Sequence, residues 1–170
     1  ADEVDLEVEK SESRDRVMRL SDLYHKTHGQ QLMPASEESV QVRLQGDLGI
    51  QVPVVGFADL ITEDGMIVDT KVRSQDRKVD LSRDLQLVTY AHITKIMKVA
   101  IAQVVDTKVP KSELLTQTID QHAIDATSQK IRTVSGAIRK RVFLPAPEGS
   151  WYCSEKWCFY WKICPYGEKA

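Results

Sequence analysis

No cysteine occurs in the first 152 of the 170 residues; all three, Cys153, Cys158 and Cys164, stand in the last 18. An odd number crowded at one end, with no secretory context, argues against a disulfide framework and for metal ligation. No apolar run approaches the roughly 20 residues a membrane helix needs, and no signal peptide stands at the start. An excess of one charge is missing too. With 23 basic and 25 acidic residues the net charge is −2, so no global field draws the chain onto nucleic acid, and any phosphate contact must be local. Internal repeats, low-complexity segments and long linkers are absent. The first residue is Ala1 rather than Met, so a native start further upstream is expected. The length suits one domain with a sizeable core and no second.

The stretch from Val54 to Lys71 is the most informative. Two runs rich in Val and Ile flank Thr62-Glu63-Asp64-Gly65, which reads as an antiparallel hairpin. On the second strand Met66, Val68 and Thr70 share one face, and Ile67, Asp69 and Lys71 the other. A two-residue loop at Asp64-Gly65 would pair Asp59 with Thr70 and point it away from Asp69. A three-residue loop, Glu63-Asp64-Gly65, pairs Asp59 with Asp69, and it needs a left-handed third residue, which Gly65 supplies without steric cost. The predicted register therefore clusters two carboxylates and one ammonium. Desolvating such a group is expensive unless something binds there, and hard oxygen ligands suit magnesium or manganese. The competing reading is a solvated Asp-x-Lys at a strand end.

Gly56-x-x-Asp59, the strand ending Ile67-Val68-Asp69-Thr70-Lys71, and Gln86-x-x-x-Tyr90 on a following helix together resemble the PD-(D/E)xK nuclease superfamily, and the Gln–Tyr pair its RecB-like branch. The resemblance runs from about residue 34 to residue 167. It implies a restriction-endonuclease-like core, an α/β (α+β) mixed sheet flanked by helices in the order helix, three strands, helix, strand, helix. It also implies one nuclease domain over 1–170, with an N-terminal helical segment at 1–33, a catalytic core at 34–145 and a cysteine-rich tail at 146–170. Asp59, Asp69 and the Thr70 carbonyl are expected to hold Mg2+ or Mn2+, Lys71 to orient or deprotonate the attacking water, Gln86 to contact the nucleic-acid backbone and Tyr90 to pack beside it. The superfamily often adds an upstream Glu, for which Glu38 is the candidate, inseparable from Glu37. The branch often adds an upstream His, here His25 or His28. A His in a helix's last turn also simply complements the dipole, and both Glu residues suit a plain surface role.

Elsewhere the chain reads as follows. Residues 1–10 are acidic and expected to be frayed or weakly helical, and Val17, Leu20, Leu23 and Tyr24 predict an amphipathic helix from Ser11 to about Thr27, stopped by Gly29. Val40, Val42 and Leu44 predict a first strand, inward-facing at those three positions. Val72 to Lys78 reads as a polar loop whose Arg73, Arg77 and Lys78 can grip phosphates. A helix beginning near Asp80 or Ser82 carries Leu81, Leu85, Val88 and Ala91 as its core stripe, and Val99–Val105 reads as a buried strand. From Ser112 to about Val142 a long helix is expected, ending in Arg139, Lys140 and Arg141, a candidate electrostatic track for DNA and equally a favourable C-terminus.

In the tail, Cys153, Cys158 and Cys164 are accompanied by all three Trp and three of the five Tyr. The Cys-x5-Cys-Pro ending resembles the iron-sulfur RecB-like nucleases, including the CRISPR-associated adaptation nuclease and the AddB subunit, where three such cysteines join a far upstream one around a 4Fe-4S cluster. This chain departs from that pattern in its first spacing and in having no upstream Cys. A fourth ligand would come from a segment further upstream or from His25 or His28; otherwise the site holds zinc or nothing. Three thiols buried among aromatics are the plainer reading.

The function these features imply is a cytoplasmic, prokaryotic or phage-encoded, Mg/Mn-dependent deoxyribonuclease, an exonuclease on single-stranded DNA or DNA ends. Partners implied are DNA, proteins of recombination, repair or CRISPR adaptation, and no membrane. The alternatives are a non-catalytic DNA-binding or scaffolding module of the same fold, and a thiolate-metal interaction domain with an incidental hairpin.

Overall fold

The computed structural model of the chain describes residues 3–76, 78–147 and 149–167, with side chains from residue 12 onward. The chain divides into two compact units, Ala1–Arg132 and Thr133–Ala170. The first contains a mixed five-stranded sheet in the order β1-β2-β3-β4-β5: β1 (Val40–Gly46), β2 (Val54–Ile61), β3 (Ile67–Arg73), β4 (Lys98–Val105) and β5 (Lys111–Thr118). Neighbours are antiparallel except β3 and β4, which run parallel and are joined by helix α2 (Leu85–Thr94). A parallel pair cannot be closed by a tight turn, so the helical crossover is a requirement of the topology. This is the restriction-endonuclease-like arrangement expected, with one strand more.

The additional strand corrects the helix expected from Ser112. Residues Lys111–Thr118 pair along their whole length with β4, and helix α3 starts only at Gln121 and ends at Arg139. Leu114, Thr116 and Thr118 suit a pleated, half-buried surface, and Asp120 stops the strand by capping α3, its carboxylate accepting from Ala123 N–H at 2.7 Å. Three smaller differences have local causes. Helix α1 runs unbroken from Glu3 to His28. Helix α2 starts late because Asp80 caps a separate 3-10 turn (Leu81–Arg83) and Asp84 caps the helix itself, accepting from Gln86 and Leu87 N–H at 3.0 Å each. That phase buries Leu87, Val88 and Ala91 and leaves Leu85 exposed, as Val40 also is in β1.

The two faces of the sheet carry separate cores. Leu44, Ala58, Ile67 and Ile101 pack with Leu87, Val88 and Ala91 of α2 and Ala123 and Ile124 of α3. Met66, Val68, Ala100 and Ala102 pack on the other face with Leu32 and Tyr24 of the α1 region. Each such fully buried Leu or Ile contributes about 1.5–3 kcal/mol. Among the described residues no helix is long and apolar enough to cross a membrane.

Candidate active site

The hairpin has the three-residue loop expected. Leu60 pairs with Val68 and Ile61 with Ile67, Thr62 N–H donates to Met66 C=O at 2.9 Å, and Gly65 sits at φ +71°. One more step of that register places Asp59 opposite Asp69, and two beyond it would place Phe57 opposite Lys71. The ladder stops short of those positions. β2 stays with β1 through Val42↔Ala58, Arg43↔Phe57 and on to Gly46↔Val54, while β3 stays with β4 to its end, so the sheet forks. Ala58 belongs to the core under α2, and Leu60, two residues on, to the core on the opposite face, which marks a turn of the strand at Asp59. Its cross-strand neighbour Gln41 takes up the distortion at φ +54°, a left-handed conformation that costs a non-glycine residue about 1 kcal/mol or more.

Side chains replace the missing rungs of the fork. The Asp59 carboxylate accepts from Thr70 N–H at 2.8 Å and from the Gln41 amide at 3.3 Å. The Tyr90 hydroxyl donates to Phe57 C=O at 2.9 Å and accepts from Phe57 N–H at 3.1 Å, holding both backbone groups of that residue. Gly56 makes room for it, since a Cβ there would stand 2.4 Å from Tyr90 Cε1. Gln86, one turn before Tyr90, donates to the Tyr90 hydroxyl at 3.1 Å and to Asp69 Oδ1 at 2.9 Å, and its carbonyl oxygen accepts from Lys71 Nζ at 3.4 Å. Lys71 Nζ lies 2.8 Å from Asp69 Oδ2. Asp69 is 3% exposed. Burial pushes its carboxyl up from the ordinary value, Lys71 opposes that shift, and the charges of Asp59 and Asp84 add to it. Asp69, Lys71, Gln86 and Tyr90 are thus one hydrogen-bonded constellation, and Asp59, held by Thr70 N–H and Gln41, stands near enough for its charge to act on Asp69. Removing only the Tyr90 hydroxyl, by Tyr90→Phe, leaves Phe57 N–H and C=O without partners. About 1–3 kcal/mol of stability should be lost, with faster hydrogen exchange at the Phe57 amide as the site-specific readout.

The other residues singled out in the sequence lie apart from this constellation. Glu37 and Glu38 form an exposed 3-10 turn before β1, with no hydrogen bond to Asp59 or Asp69 among the described residues. His25 is exposed on α1. His28 is 1% exposed, and its Nε2 lies 2.7 Å from the Ser112 hydroxyl. That hydroxyl donates to Gln103 C=O at 3.2 Å, so His28 Nε2 carries the proton, and the buried Nδ1 has no partner among the described residues. Burial lowers the His28 pKa from 6.5. The unfolded chain therefore takes up a proton near pH 6.5 that the folded chain refuses, and the stability His28 contributes is complete above that pH and lost below it. Between pH 7.5 and 5.5, wild-type protein should lose more stability in denaturant titrations than His28→Gln does. Equal losses would contradict this placement.

Arg73 follows Lys71 by two on β3 and so shares its face, Lys78 is exposed, and Arg77 lies outside the described residues. In the second unit Arg139 ends α3, and Lys140 and Arg141 follow it, all exposed. The tail there is a series of turns closed at cysteine: Cys153 N–H donates to Ser150 C=O, Cys158 to Ser154 and Cys164 to Tyr160. Its thiols are half-buried and unbridged, and its aromatics are largely exposed. Among the described residues no three His, Cys, Asp or Glu side chains gather as a metal group.

Two residues of the site are not named by the sequence reading. Asp84 orients Gln86 as its N-cap, and an Asp two residues before the Gln-x-x-x-Tyr pair is a signal that capping rules can find. Gln41 has no such signal, because its role follows from the bend opposite it.

No curated protein matches the sequence. Two solved structures share the fold: the protein SSO0001, at 17% identity and TM-score 0.50 over 75% of this chain, and an inferred exonuclease from Eubacterium rectale, at 15% identity and TM-score 0.56 over 84%. The chain spans 59% of the length of each. The sequence model of the PD-(D/E)XK nuclease superfamily matches residues 3–165, and that span includes the forked hairpin and every residue gathered in it. By that match, on a mixed sheet whose fork brings together Asp59, Asp69 and Lys71, the chain belongs to the PD-(D/E)XK nuclease superfamily.

Proposed function

We propose that this chain is a divalent-metal-dependent deoxyribonuclease of the RecB-like branch, an exonuclease acting on single-stranded DNA or DNA ends in a prokaryotic or phage-infected cytoplasm. The observation that carries the reading is the fork itself: a buried carboxylate paired with an ammonium, and a second carboxylate anchored on the backbone N–H of the residue between them. The donor set fits Mg2+ or Mn2+. Asp59 and Asp69 offer hard oxygens, and the unfavourable ionisation of Asp69 in its buried setting is what a cation would relieve. Asp59, Asp69 and the Thr70 carbonyl would hold the ion, which when bound polarises a phosphate and lowers the pKa of a water.

The chain's own groups do the rest. Asp69 holds the Lys71 ammonium by ion pairing, and Gln86 fixes it from the other side. Lys71, 38% exposed, keeps a donor free to orient the attacking water and to stabilise charge on the phosphate. Gln86 spends its amide on Asp69 and Tyr90 and so sets the carboxylate plane. Arg73 and Lys78 are assigned to phosphate contact beside the site, and Arg139, Lys140 and Arg141 to a second basic stretch. The test is incubation of end-labelled single-stranded DNA with the full chain in Mn2+ and in EDTA. Shortening from an end in Mn2+ alone is expected, and intact DNA in both overturns the proposal.

A 4Fe-4S cluster needs four ligands, and the tail offers three that do not gather among the described residues, so the set as it stands does not fit. The proposal kept for Cys153, Cys158 and Cys164 is a thiolate site that closes only when metal and a fourth ligand arrive, as metal sites coupled to folding do. Anaerobically purified protein should then be brown, with iron and sulfide in equal amounts. A colourless preparation whose three thiols all alkylate under native conditions contradicts it.

A further inference from the structure

Phe57 is a large apolar side chain, 53% exposed, in the middle of strand β2 and two residues from Asp59. Gly56 and Ala58 face α2, so the Phe57 ring projects from the opposite face of the sheet. Helix α1 packs there over β4 and β5, and Leu60 near the end of β2 joins that core while Phe57 stays half-exposed. Scattered surface apolar residues need no explanation, but Phe57 differs from these in its mounting and its neighbours. Its N–H and C=O are both held by the Tyr90 hydroxyl, so the ring stands on fixed backbone tied directly to the site. Arg43 lies directly across the strand pair, exposed, its guanidinium steadied by the Gln45 side chain at 2.8 Å. A rigid aromatic face beside a cation, about 7 Å along the strand from a carboxylate of the site, has the two elements that sequence-tolerant binding of single strands uses: stacking for a base and charge for its phosphate.

We infer that Phe57 and Arg43 form a base-stacking platform for a single-stranded nucleic acid whose backbone enters the fork at Asp59. The platform rests on the nuclease reading, since it takes the strand being cut as its occupant. Phe57 receives a base face-on. Arg43 pairs with the adjoining phosphate, and Tyr90 couples the position of the platform to Gln86 and Asp69.

Binding is measured without cleavage, on the full chain carrying Lys71→Ala, with a fluorescent oligothymidine in EDTA and anisotropy as the readout. Adding Phe57→Ala should raise Kd about tenfold or more, and Phe57→Trp should keep it within about twofold of the parent. Arg43→Ala should weaken binding and reduce the slope of log Kd against log salt by about 0.7. Thermal unfolding of each variant is the folding control, which a half-exposed ring should leave unchanged. A Kd for Phe57→Ala within twofold of the parent overturns the platform, as does a parent that fails to bind. A Phe57→Ala change confined to self-association on a sizing column overturns it too, and assigns the face to a second copy of the chain. If wild type cuts nothing yet the Phe57 series behaves as expected, the catalytic reading fails and the platform stands; if wild type cuts DNA and the series is flat, only the platform fails.

Discussion

Asp59→Ala, Asp69→Ala and Lys71→Ala, each assayed on end-labelled single-stranded DNA in Mn2+, should lose about a thousandfold or more in kcat/KM. Removal of one preorganised charge from a catalytic site commonly costs a hundred- to a thousandfold, and here each group also positions the others. Lys71 loses its ion-pair partner when Asp69 is removed, and Thr70 N–H loses its acceptor when Asp59 is removed. The folded state should survive. Asp69 ionises against burial and against the charges of Asp59 and Asp84, so its loss from the metal-free protein should leave stability unchanged or raise it. Full activity in any one of the three variants would contradict the nuclease assignment. Collapse of the fold in Asp69→Ala would contradict the electrostatic account.

Gly56→Ala is the substitution expected to damage the site most without touching a charged group. The added methyl would meet Tyr90 Cε1 at 2.4 Å and the Tyr90 hydroxyl at 2.9 Å. A flexible side chain could move away, but this ring is 7% exposed and its hydroxyl is held by Phe57 and Gln86. Overpacking of this kind costs about 1–3 kcal/mol, which for a domain of this size lowers Tm by about 2–4 °C per kcal/mol. Displacing Tyr90 also releases Gln86 from its orientation on Asp69, so kcat should fall with stability. Because the tightest contact is with ring carbon Cε1 and not with the hydroxyl, adding Tyr90→Phe should restore neither stability nor activity. Wild-type Tm and kcat in Gly56→Ala would remove the steric coupling on which the description of the fork depends.

The parts of the molecule legible in the sequence are those whose cause is local. Gly65 dictates the three-residue loop, the loop dictates the register, and alternation then places Ile67, Asp69 and Lys71 on one face. The spacing of Gln86 and Tyr90 puts them one above the other on α2, where they meet the site. What was not legible depends on tertiary partners. Lys111–Thr118 is a strand because β4 offers it an open edge, and no periodicity within those residues announces that. Leu87 displaces Leu85 from the core because Asp84, not Asp80, caps α2. The fork itself is invisible in sequence: the β2–β3 pattern reads as a full hairpin, and only the Tyr90 hydroxyl over Gly56 and the bend at Gln41 reveal where pairing is given up to hold the carboxylates. His28 shows the converse, a residue type that suits a metal site but is buried beside Ser112.

The most direct measurement is calorimetric titration of Mn2+ into wild type, Asp59→Asn and Asp69→Asn, three folded proteins of nearly identical shape. Wild type should bind Mn2+ at the fork, and each Asn variant should lose that binding by at least about tenfold, because each replaces a hard anionic oxygen donor with a neutral amide. Undiminished Mn2+ binding by both variants would contradict the claim that the forked hairpin is the metal-dependent catalytic centre.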